Sequence, residues 1–251
     1  MSVSKSKFSQ RHDELELIVQ KILVENGVSG LSIERIATES GYSRPTIYQH
    51  FSGKIEAIEA VARRCLERIA DLVGRAGTVE GAPRERALAL VIAYEQMARF
   101  HPNNFHINEI LSFPWVRNQL PPDLAADHAA TTKGYFEQFI SLLGEAQKAG
   151  ALDLPPGVSL EQATFQSIAT AFGIYNAIVK KRYAFALSES ADPWKDARSA
   201  INALWDGLGW DPRGRPPSDY EAVYERILKS AFPEYWIKAK TEDLTKEAGL
   251  V

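Results

Sequence analysis

The amino-acid sequence predicts an all-α fold. Apolar residues recur at steps of three and four along nearly all of the 251 residues, and we find no segment with convincing strand alternation. Helix-start signals stand where this spacing begins. Ser159 with Gln162 has the capping-box separation, and Asp192 before Pro193 is typical of an N-cap and a first helical position. We therefore expect a protein built from packed helices.

Composition excludes several classes of protein. Hydrophobic residues make up 45% and charged residues 24% of the chain, and the formal net charge is −3. These values predict a sizeable core and exclude a disordered, a collagen-like or a strongly basic chain. Cys65 is the single cysteine, which excludes an internal disulfide framework and a thiolate zinc site. We expect no metal and no cofactor, and a reducing cytoplasm suits this cysteine usage.

A membrane location is not expected. Residues 162–179 form the longest stretch without charge, but 6 polar side chains within it would lie in hydrocarbon. A helix buried between protein surfaces is therefore the better interpretation. Residues 1–11 are polar and lack the apolar run of a signal peptide, which favours a cytoplasmic protein.

Clusters of glycine and proline predict that the chain has three parts. Glycines and a proline cluster between Gly74 and Pro83, and a second group of prolines begins at Pro212. We expect an N-terminal domain over residues 1–75, a second helical domain over residues 76–210 and a C-terminal extension over residues 211–251. Residues 1–75 carry 11 Lys and Arg against 10 Asp and Glu, a net charge of +1, and the remainder carries 18 against 22, a net charge of −4. The positive sign of the first value suits an N-terminal part that approaches phosphate.

Four helices are predicted in the N-terminal domain. The first carries an apolar stripe made of Leu15, Ile18, Val19, Ile22 and Leu23. Ser32 can cap the second helix, and Gly41 can supply the left-handed residue of a tight turn. Ser43 can cap a third helix with Pro45 in its first turn, and a fourth helix begins near Ser52. Two short helices joined through a glycine form a helix-turn-helix.

The third helix has the composition of a recognition helix. Ile47 and Phe51 lie four residues apart and are expected to face inward together with Tyr42. The remaining side chains are left on outward or end-on faces: Arg44, Pro45, Thr46, Tyr48, Gln49 and His50. Donors, an amide, a hydroxyl and flat rings are the groups that a helix places against base edges and phosphates in the major groove.

This segment resembles a known family. Residues 41–54, GYSRPTIYQHFSGK, are similar to the helix-turn-helix signature of the TetR family of bacterial transcriptional regulators. Residues 31–37, LSIERIA, match the second helix of that family as well. The resemblance covers residues 10–70, whereas beyond them only the helical character and the length agree.

The resemblance implies DNA-binding roles for individual residues. Base contacts fall on Arg44, Pro45 and Thr46, and Arg44 is suited to bidentate pairing with guanine. Gln49 is expected to read adenine or to bind phosphate. Phosphate contacts fall on Tyr48, His50 and Lys54, with Ser32 and Ser43 adding hydroxyl or amide contacts at helix N-termini. Purely structural roles stay open for some of these residues: His50 as a C-terminal helix residue, Tyr48 as a core side chain, Lys54 as a solvated lysine and Ser43 as a cap.

In the family, the remaining helices build a dimer interface and a ligand cavity. The helices after Pro156 and Pro193 are expected to pair with their symmetry mates, and a twofold homodimer implies a pseudo-palindromic operator. The residues that can line an apolar ligand cavity are Met97, Phe100, Phe105, His106, Trp115, Phe136, Phe139, Phe172 and Tyr175. Ordinary core packing is an equally good interpretation for any one of them. Residues 211–251 contain an amphipathic helix, and we expect this extension to pack back on the domain.

The function that these features predict is that of a ligand-responsive regulator. We expect a repressor that binds double-stranded operator DNA as a homodimer and is released by a small hydrophobic or aromatic effector. No H-E-x-x-H, G-x-S-x-G, Walker A or G-x-G-x-x-G motif is found, so we assign no catalytic residues and do not expect an enzyme. The alternative is a helical ligand-binding or protein-interaction module that does not bind DNA.

Overall fold

A computed structural model describes residues 6–181, 192–210 and 220–247, with side chains as far as residue 241. Within these ranges the regular secondary structure is helical, apart from an isolated bridge between Leu152 and Trp210. This confirms the predicted all-α fold. The helices are α1 (Lys7–Asn26), α2 (Ile33–Ser40), α3 (Arg44–Tyr48), α4 (Lys54–Gly77), α5 (Pro83–Phe100), α6 (Pro102–Ser112), α7 (Pro114–Arg117), α8 (Pro122–Lys148), α9 (Leu160–Val179), α10 (Pro193–Gly207), α11 (Tyr220–Ala231) and α12 (Pro233–Glu247).

The predicted helix starts are confirmed where the structure describes them. Ser159 and Gln162 form a reciprocal capping box at the start of α9, because each side chain accepts from the other residue's backbone N–H. The Asp192 carboxylate caps α10. Ser218, which stands three residues before Glu221 at the same capping-box separation, lies outside the described residues.

The chain divides into two compact units. Unit 1 comprises Met1–Arg68 and His101–Thr132, and unit 2 comprises Ile69–Phe100 and Lys133–Val251. Helices α4 and α8 each run without interruption from one unit into the other.

The core of unit 1 forms around α1, which packs on α2 and α6. Its buried stripe, Leu15, Val19, Ile22 and Leu23, follows the predicted spacing. The Cys65 thiol on α4 is fully buried and donates to the carbonyl oxygen of Asn104 at 3.2 Å. Burial raises the pKa of this thiol to about 12, so Cys65 behaves as a small core residue.

Unit 2 is organised around α5, which is covered on most of its sides. Buried positions follow one another through about two turns, from Ala87 to Ala93, and α5 contacts both α9 and α11. Helix α9 also packs along α10, where the Trp205 indole donates to the Ser167 hydroxyl at 3.1 Å. None of the described helices combines the length and the apolarity that a membrane span requires.

The C-terminal extension is held on unit 2 by an arginine of α4. The Arg75 guanidinium donates twice to the carbonyl oxygen of Ala231, at 2.9 and 2.6 Å, where α11 ends. It also forms a bidentate pair with the Glu234 carboxylate at 2.7 and 2.9 Å, where α12 begins, and lies 4.9 Å from the centre of the Phe232 ring. For the described part of the extension, these contacts agree with the expectation that it packs back on the preceding helices.

Candidate nucleic-acid interface

A tight turn separates α2 from α3. Gly41 ends α2 with φ 71° and ψ 4°, the left-handed conformation that glycine adopts without steric cost. The Tyr42 backbone N–H then donates to the Ser40 hydroxyl at 3.2 Å, and α3 begins directly after Ser43. The sequence therefore folds locally into the predicted helix-turn-helix.

The two predicted cap serines are used by their own helices. The Ser32 hydroxyl accepts from the Arg35 N–H at 3.1 Å at the start of α2. The Ser43 hydroxyl accepts from the Thr46 N–H at 3.4 Å and is hydrogen-bonded to the Thr46 hydroxyl at 2.9 Å. The structural role of both serines as caps is confirmed, and their contact with phosphate stays a prediction.

Helix α3 separates inward from outward side chains. Ile47 and Phe51 are 0% and 1% exposed and anchor the helix in the core of unit 1. The side chains left at the surface are Arg44, Pro45, Tyr48 and Gln49, with Thr46 half-buried. Tyr48 is 54% exposed, so about half of its side chain is at the surface, and its contact with phosphate stays a prediction.

The Arg44 guanidinium lies at the surface in a weak ion pair. Its Nη1 stands 3.5 Å from Oε1 of Glu34, and both side chains are more than half exposed. The pKa of Glu34 is lowered chiefly by hydrogen bonds from its own backbone N–H and from Ser32, with a smaller contribution from Arg44. Because exposed pairs of this kind are worth little, Arg44 can exchange Glu34 for a base edge at small cost.

His50 lies in the interior of unit 1 rather than on its surface. The ring is 6% exposed and stacks on Phe8, with centroids 4.1 Å apart. Among the described residues neither ring nitrogen has a hydrogen-bond partner. Burial lowers its pKa, and nearby His12 and Arg11 lower it further, so the ring is held neutral. In this arrangement a phosphate contact from His50 requires Phe8 to move.

Lys54 is the first residue of α4, at the edge of the helix-turn-helix. The preceding backbone N–H of Ser52 donates to the Glu56 carboxylate, which satisfies the helix start and lowers the pKa of Glu56. A lysine in the first helical turn is unfavourable for the helix dipole. Its position is therefore not explained by helix stability and suits a contact with an anion.

Helix α1 braces the turn and α2 through contacts that the sequence did not predict. The Tyr42 hydroxyl donates to Glu14 at 3.0 Å, and the Arg11 guanidinium lies 5.0 Å from the centre of the Tyr42 ring. Lys21 of α1 pairs with Glu39 of α2 at 3.1 Å, which lowers the pKa of Glu39. These contacts fix the orientation of α3 within unit 1.

The residues predicted to line an effector cavity fall in both units. Phe105, His106 and Trp115 belong to unit 1, and the members in unit 2 are Met97, Phe100, Phe136, Phe139, Phe172 and Tyr175. Trp115 is 55% exposed and stacks on Phe113, so it lies on the surface. His106 pairs with Glu109 at 3.4 Å, next to the buried Phe105.

Within unit 2 several of these side chains pack on other aromatic rings. Phe139 lies 6.0 Å from Trp205, and Phe100 lies 5.4 Å from Tyr235. Met97 lines a narrow apolar gap between α4 and α5. In the part of the chain that the structure describes, no group of three or more potential metal ligands comes together.

One buried charged residue in unit 2 was not identified as functional from the sequence. Glu95 follows the apolar stripe Leu88, Val91 and Ile92 of α5, and it is 0% exposed. Its Oε1 accepts from Arg198 at 2.8 Å and from the Tyr224 hydroxyl at 2.9 Å. The position of a glutamate on the apolar stripe of a helix is the signal that could have indicated a buried carboxyl group.

Comparison with known families supports the helix-turn-helix assignment. The sequence profile of a family described as bacterial regulatory proteins, tetR family, matches residues 20–61. This segment includes α2, α3 and the start of α4. The description is that of regulatory proteins, in agreement with the expectation that the chain is not an enzyme.

Two curated relatives have regulatory functions. The chain is 26% identical over 114 residues to the HTH-type transcriptional activator FasR of Mycolicibacterium smegmatis, which covers 44% of this chain and 52% of that protein. It is 33% identical over 78 residues to the HTH-type transcriptional repressor AcnR of Corynebacterium diphtheriae, which covers 31% of this chain and 41% of that protein. The chain thus matches about half the length of these relatives or less.

Solved structures share the fold. The ketosteroid transcriptional regulator KstR2 of Mycobacterium tuberculosis superposes with a TM-score of 0.62 at 15% identity, over 82% of this chain and 96% of that chain. At this identity the likeness extends to the arrangement of helices and not to the residues of a ligand site.

Proposed function

We propose, from the match of residues 20–61 to the tetR family of bacterial regulatory proteins, that the protein is a transcriptional regulator that binds double-stranded operator DNA. Residues 1–75 bind the operator, residues 76–210 hold the effector site and the dimer interface, and residues 211–251 extend the second domain. The protein acts in the cytoplasm, where its DNA is.

The observation that carries this proposal is the two-sided character of α3. Ile47 and Phe51 fix it in the core, while Arg44, Tyr48 and Gln49 stand at the surface. Arg44 reads guanine bidentately, and Tyr48 with Lys54 binds the phosphates that flank the groove. No catalytic step is needed for this work.

We propose a twofold homodimer formed through α9 and α10. Phe165 on α9 is 65% exposed, and small side chains at the surface of α10 leave room for a close helix partner. Exposed small residues of α10 include Ser199, Ala200 and Ala203. Two copies of α3 then lie about one DNA turn apart, which requires a pseudo-palindromic operator. Phe165→Glu would give a monomer in sedimentation, whereas a dimer that persists contradicts this interface.

The proposed regulator is a repressor that a small hydrophobic or aromatic effector releases. KstR2 is named a ketosteroid regulator, which suits an apolar effector in this fold. Helix α4 is continuous from Lys54 to Gly77 and therefore transmits a displacement from the effector site to the DNA-binding domain. Inverting a 1:99 population of two states requires an effector that prefers one of them by about 5.5 kcal/mol.

The test is operator capture followed by a salt titration. Fragments of the source genome that bind the purified protein are selected, and the affinity for the enriched site is measured against salt concentration. Because each phosphate contact contributes about 0.9 to the slope, Lys54→Ala in both subunits should reduce the slope by about 1.8. Lys148→Ala, which removes an exposed lysine at the end of α8, is the matched control and should leave the slope unchanged.

Two outcomes would contradict the proposal. The absence of any enriched site at low salt favours the alternative, a helical ligand-binding or interaction module that does not bind DNA. If Lys54→Ala and Lys148→Ala change the salt dependence of binding equally, Lys54 does not contact a DNA phosphate. Arg44→Ala should instead relax the preference for one base pair, at a cost of about 1–3 kcal/mol in discrimination.

A further inference from the structure

The His50 side chain is buried without a hydrogen bond at the edge of the helix-turn-helix. It stands two residues after the end of α3 and is 6% exposed. Neither Nδ1 nor Nε2 of its ring has a partner among the described residues. A neutral imidazole carries one donor and one acceptor, and leaving both unsatisfied in the interior costs free energy. The ring is therefore held in place by packing and not by hydrogen bonds, so a second position that satisfies its nitrogens can compete.

The packing that holds the ring comes from the first turn of α1. Phe8 stacks on His50 with ring centres 4.1 Å apart and an angle of 21° between the ring planes. Phe8 is the second residue of α1 and is itself 54% exposed. The first N–H groups of a helix have no partners within the helix, so a terminal turn opens at lower cost than the helix interior. The side chain that covers His50 is thus the one most easily displaced.

While Phe8 stays in place, the groups on α1 disfavour a proton on His50. Burial lowers the pKa of His50 below its ordinary value of 6.5, and His12 and Arg11 lower it further. The ring centre of His12 lies 5.5 Å from that of His50, and its Nε2 stands 3.5 Å from Oε1 of Glu16. The closed arrangement is therefore that of a neutral ring, and it becomes less stable relative to an open one as the pH falls below 6.5.

The side of the ring towards α4 has the opposite character. His50 borders an open cavity of about 480 Å³ whose lining from α4 includes Glu56, Glu59 and Arg63. Arg63 pairs with Glu59 at 2.8 Å and with Asp123 at 2.6 Å, so its guanidinium serves two carboxylates, and Glu56 adds a third. An imidazolium that turns from Phe8 towards this cavity gains water and an excess of negative charge around it. The charged ring is therefore favoured in the open arrangement.

We propose that Phe8 and His50 form an acid-sensitive latch on the DNA-binding domain: a proton on His50 opens the stacked contact, and the exposed imidazolium then strengthens operator binding. The opening concerns unit 1 alone, whereas its effect on DNA rests on the proposed function. An imidazolium beside α3 adds one positive charge per subunit to the surface that approaches phosphate. The buried neutral ring adds none, so operator binding takes up a proton at each His50.

The first measurement follows the His50 ring in the full-length protein without DNA. Histidine resonances are titrated by NMR, and that of His50 is assigned by its absence in His50→Gln. Phe8→Ala truncates a half-exposed ring and admits water to His50, so the titration midpoint of His50 should rise towards 6.5. Phe113→Ala is the matched control, because Phe113 is 50% exposed and stacks on Trp115 instead. This control should leave the midpoint unchanged.

The second measurement follows operator affinity from pH 7.5 to pH 5.5 at constant salt. Uptake of one proton per subunit raises affinity by up to about tenfold per pH unit, and by up to about 100-fold for the proposed dimer. The wild-type protein should therefore gain affinity more steeply on acidification than His50→Gln does. Phe8→Ala should bind severalfold more tightly than the wild type at pH 7, because a larger fraction of its molecules is already open and protonated. Phe113→Ala should match the wild type.

The outcomes separate the latch from the proposed function. A His50 midpoint that Phe8→Ala leaves in place, or that Phe113→Ala shifts as far, would overturn the latch. Operator binding with the same pH dependence in the wild type and in His50→Gln would overturn its effect on DNA and leave the regulator standing. Absence of operator binding at every pH would contradict the proposed function, and with it the effect on DNA, while a midpoint shifted by Phe8→Ala would still support the opening.

Discussion

Arg75 holds the C-terminal extension to α4, and its removal should loosen that extension selectively. Arg75→Ala deletes two charged hydrogen bonds to the Ala231 carbonyl and a bidentate pair with Glu234. The Arg75 side chain is 28% exposed and that of Glu234 46%, so solvent screens the ion pair to well under 1 kcal/mol. The two hydrogen bonds to the Ala231 carbonyl contribute more free energy than the ion pair does. Together, the contacts of Arg75 should stabilise the extension by about 2–3 kcal/mol.

The assay is amide hydrogen exchange in α11 and α12. A loss of about 2–3 kcal/mol lowers protection there by roughly 30- to 150-fold. Arg86→Ala is the matched control, because the Arg86 guanidinium makes a single exposed pair with Glu145 at 2.6 Å. This control should change protection by less than about fivefold. Glu234→Gln should behave like the control, since it removes the charge and leaves the two bonds to the carbonyl.

Two results would refute this reasoning. If Arg75→Ala lowers protection no more than Arg86→Ala does, the bonds to the Ala231 carbonyl contribute nothing beyond a surface ion pair. If Glu234→Gln matches Arg75→Ala, the ion pair and not the carbonyl holds the extension.

Three further predictions concern unit 1. Gly41→Ala should destabilise the protein by about 1–2 kcal/mol in chemical denaturation, because the backbone there is left-handed although no atom lies within 4 Å of an added Cβ. Gly74→Ala, in the last turn of α4 and with open space around an added Cβ, should not destabilise it. The unfolding free energy should fall as the pH drops below about 6.5, because the unfolded chain then binds a proton that buried His50 does not, and His50→Gln should reduce this pH dependence. Cys65, whose pKa burial raises to about 12, should resist alkylation at pH 8 in the folded protein and react fully in denaturant, whereas rapid labelling of the native protein would contradict its burial.

The sequence predicted the helix-turn-helix well because its determinants are local. A cap, a glycine and a pair of inward apolar residues act within one or two turns, so Ser32, Gly41, Ser43 and Ile47 stand in the structure where the spacing placed them. The family resemblance then supplied roles that local physics alone does not give. The division of residues 1–75, 76–210 and 211–251 into functional parts stays a prediction.

The interior of unit 2 was harder to predict because its contacts join residues that are distant in sequence. Arg198 reaches Glu95 across 103 positions, and Tyr224 reaches it across 129. An apolar stripe shows which face of a helix is buried, but it does not show which other helix packs against that face. For the same reason the aromatic residues chosen for an effector cavity divided between the two units. His50, for which the family resemblance implied a phosphate contact, stacks on Phe8 and is buried.

Under the proposed function, the brevity of α3 limits how much DNA sequence one copy of the protein can read. Its five residues, Arg44–Tyr48, rise about 7.5 Å along the helix axis, close to the height of two stacked base pairs. A bacterial chromosome offers on the order of 10⁶ competing sites or more. A sequence of two to four base pairs recurs too often among them to specify one operator. The operator must therefore contain two half-sites, one for each copy of α3, and the spacing between the half-sites becomes part of what the dimer recognises. Inserting about five base pairs at the operator centre would leave both half-sites intact but turn them to opposite sides of the duplex. The dimer should then no longer bind both half-sites at once.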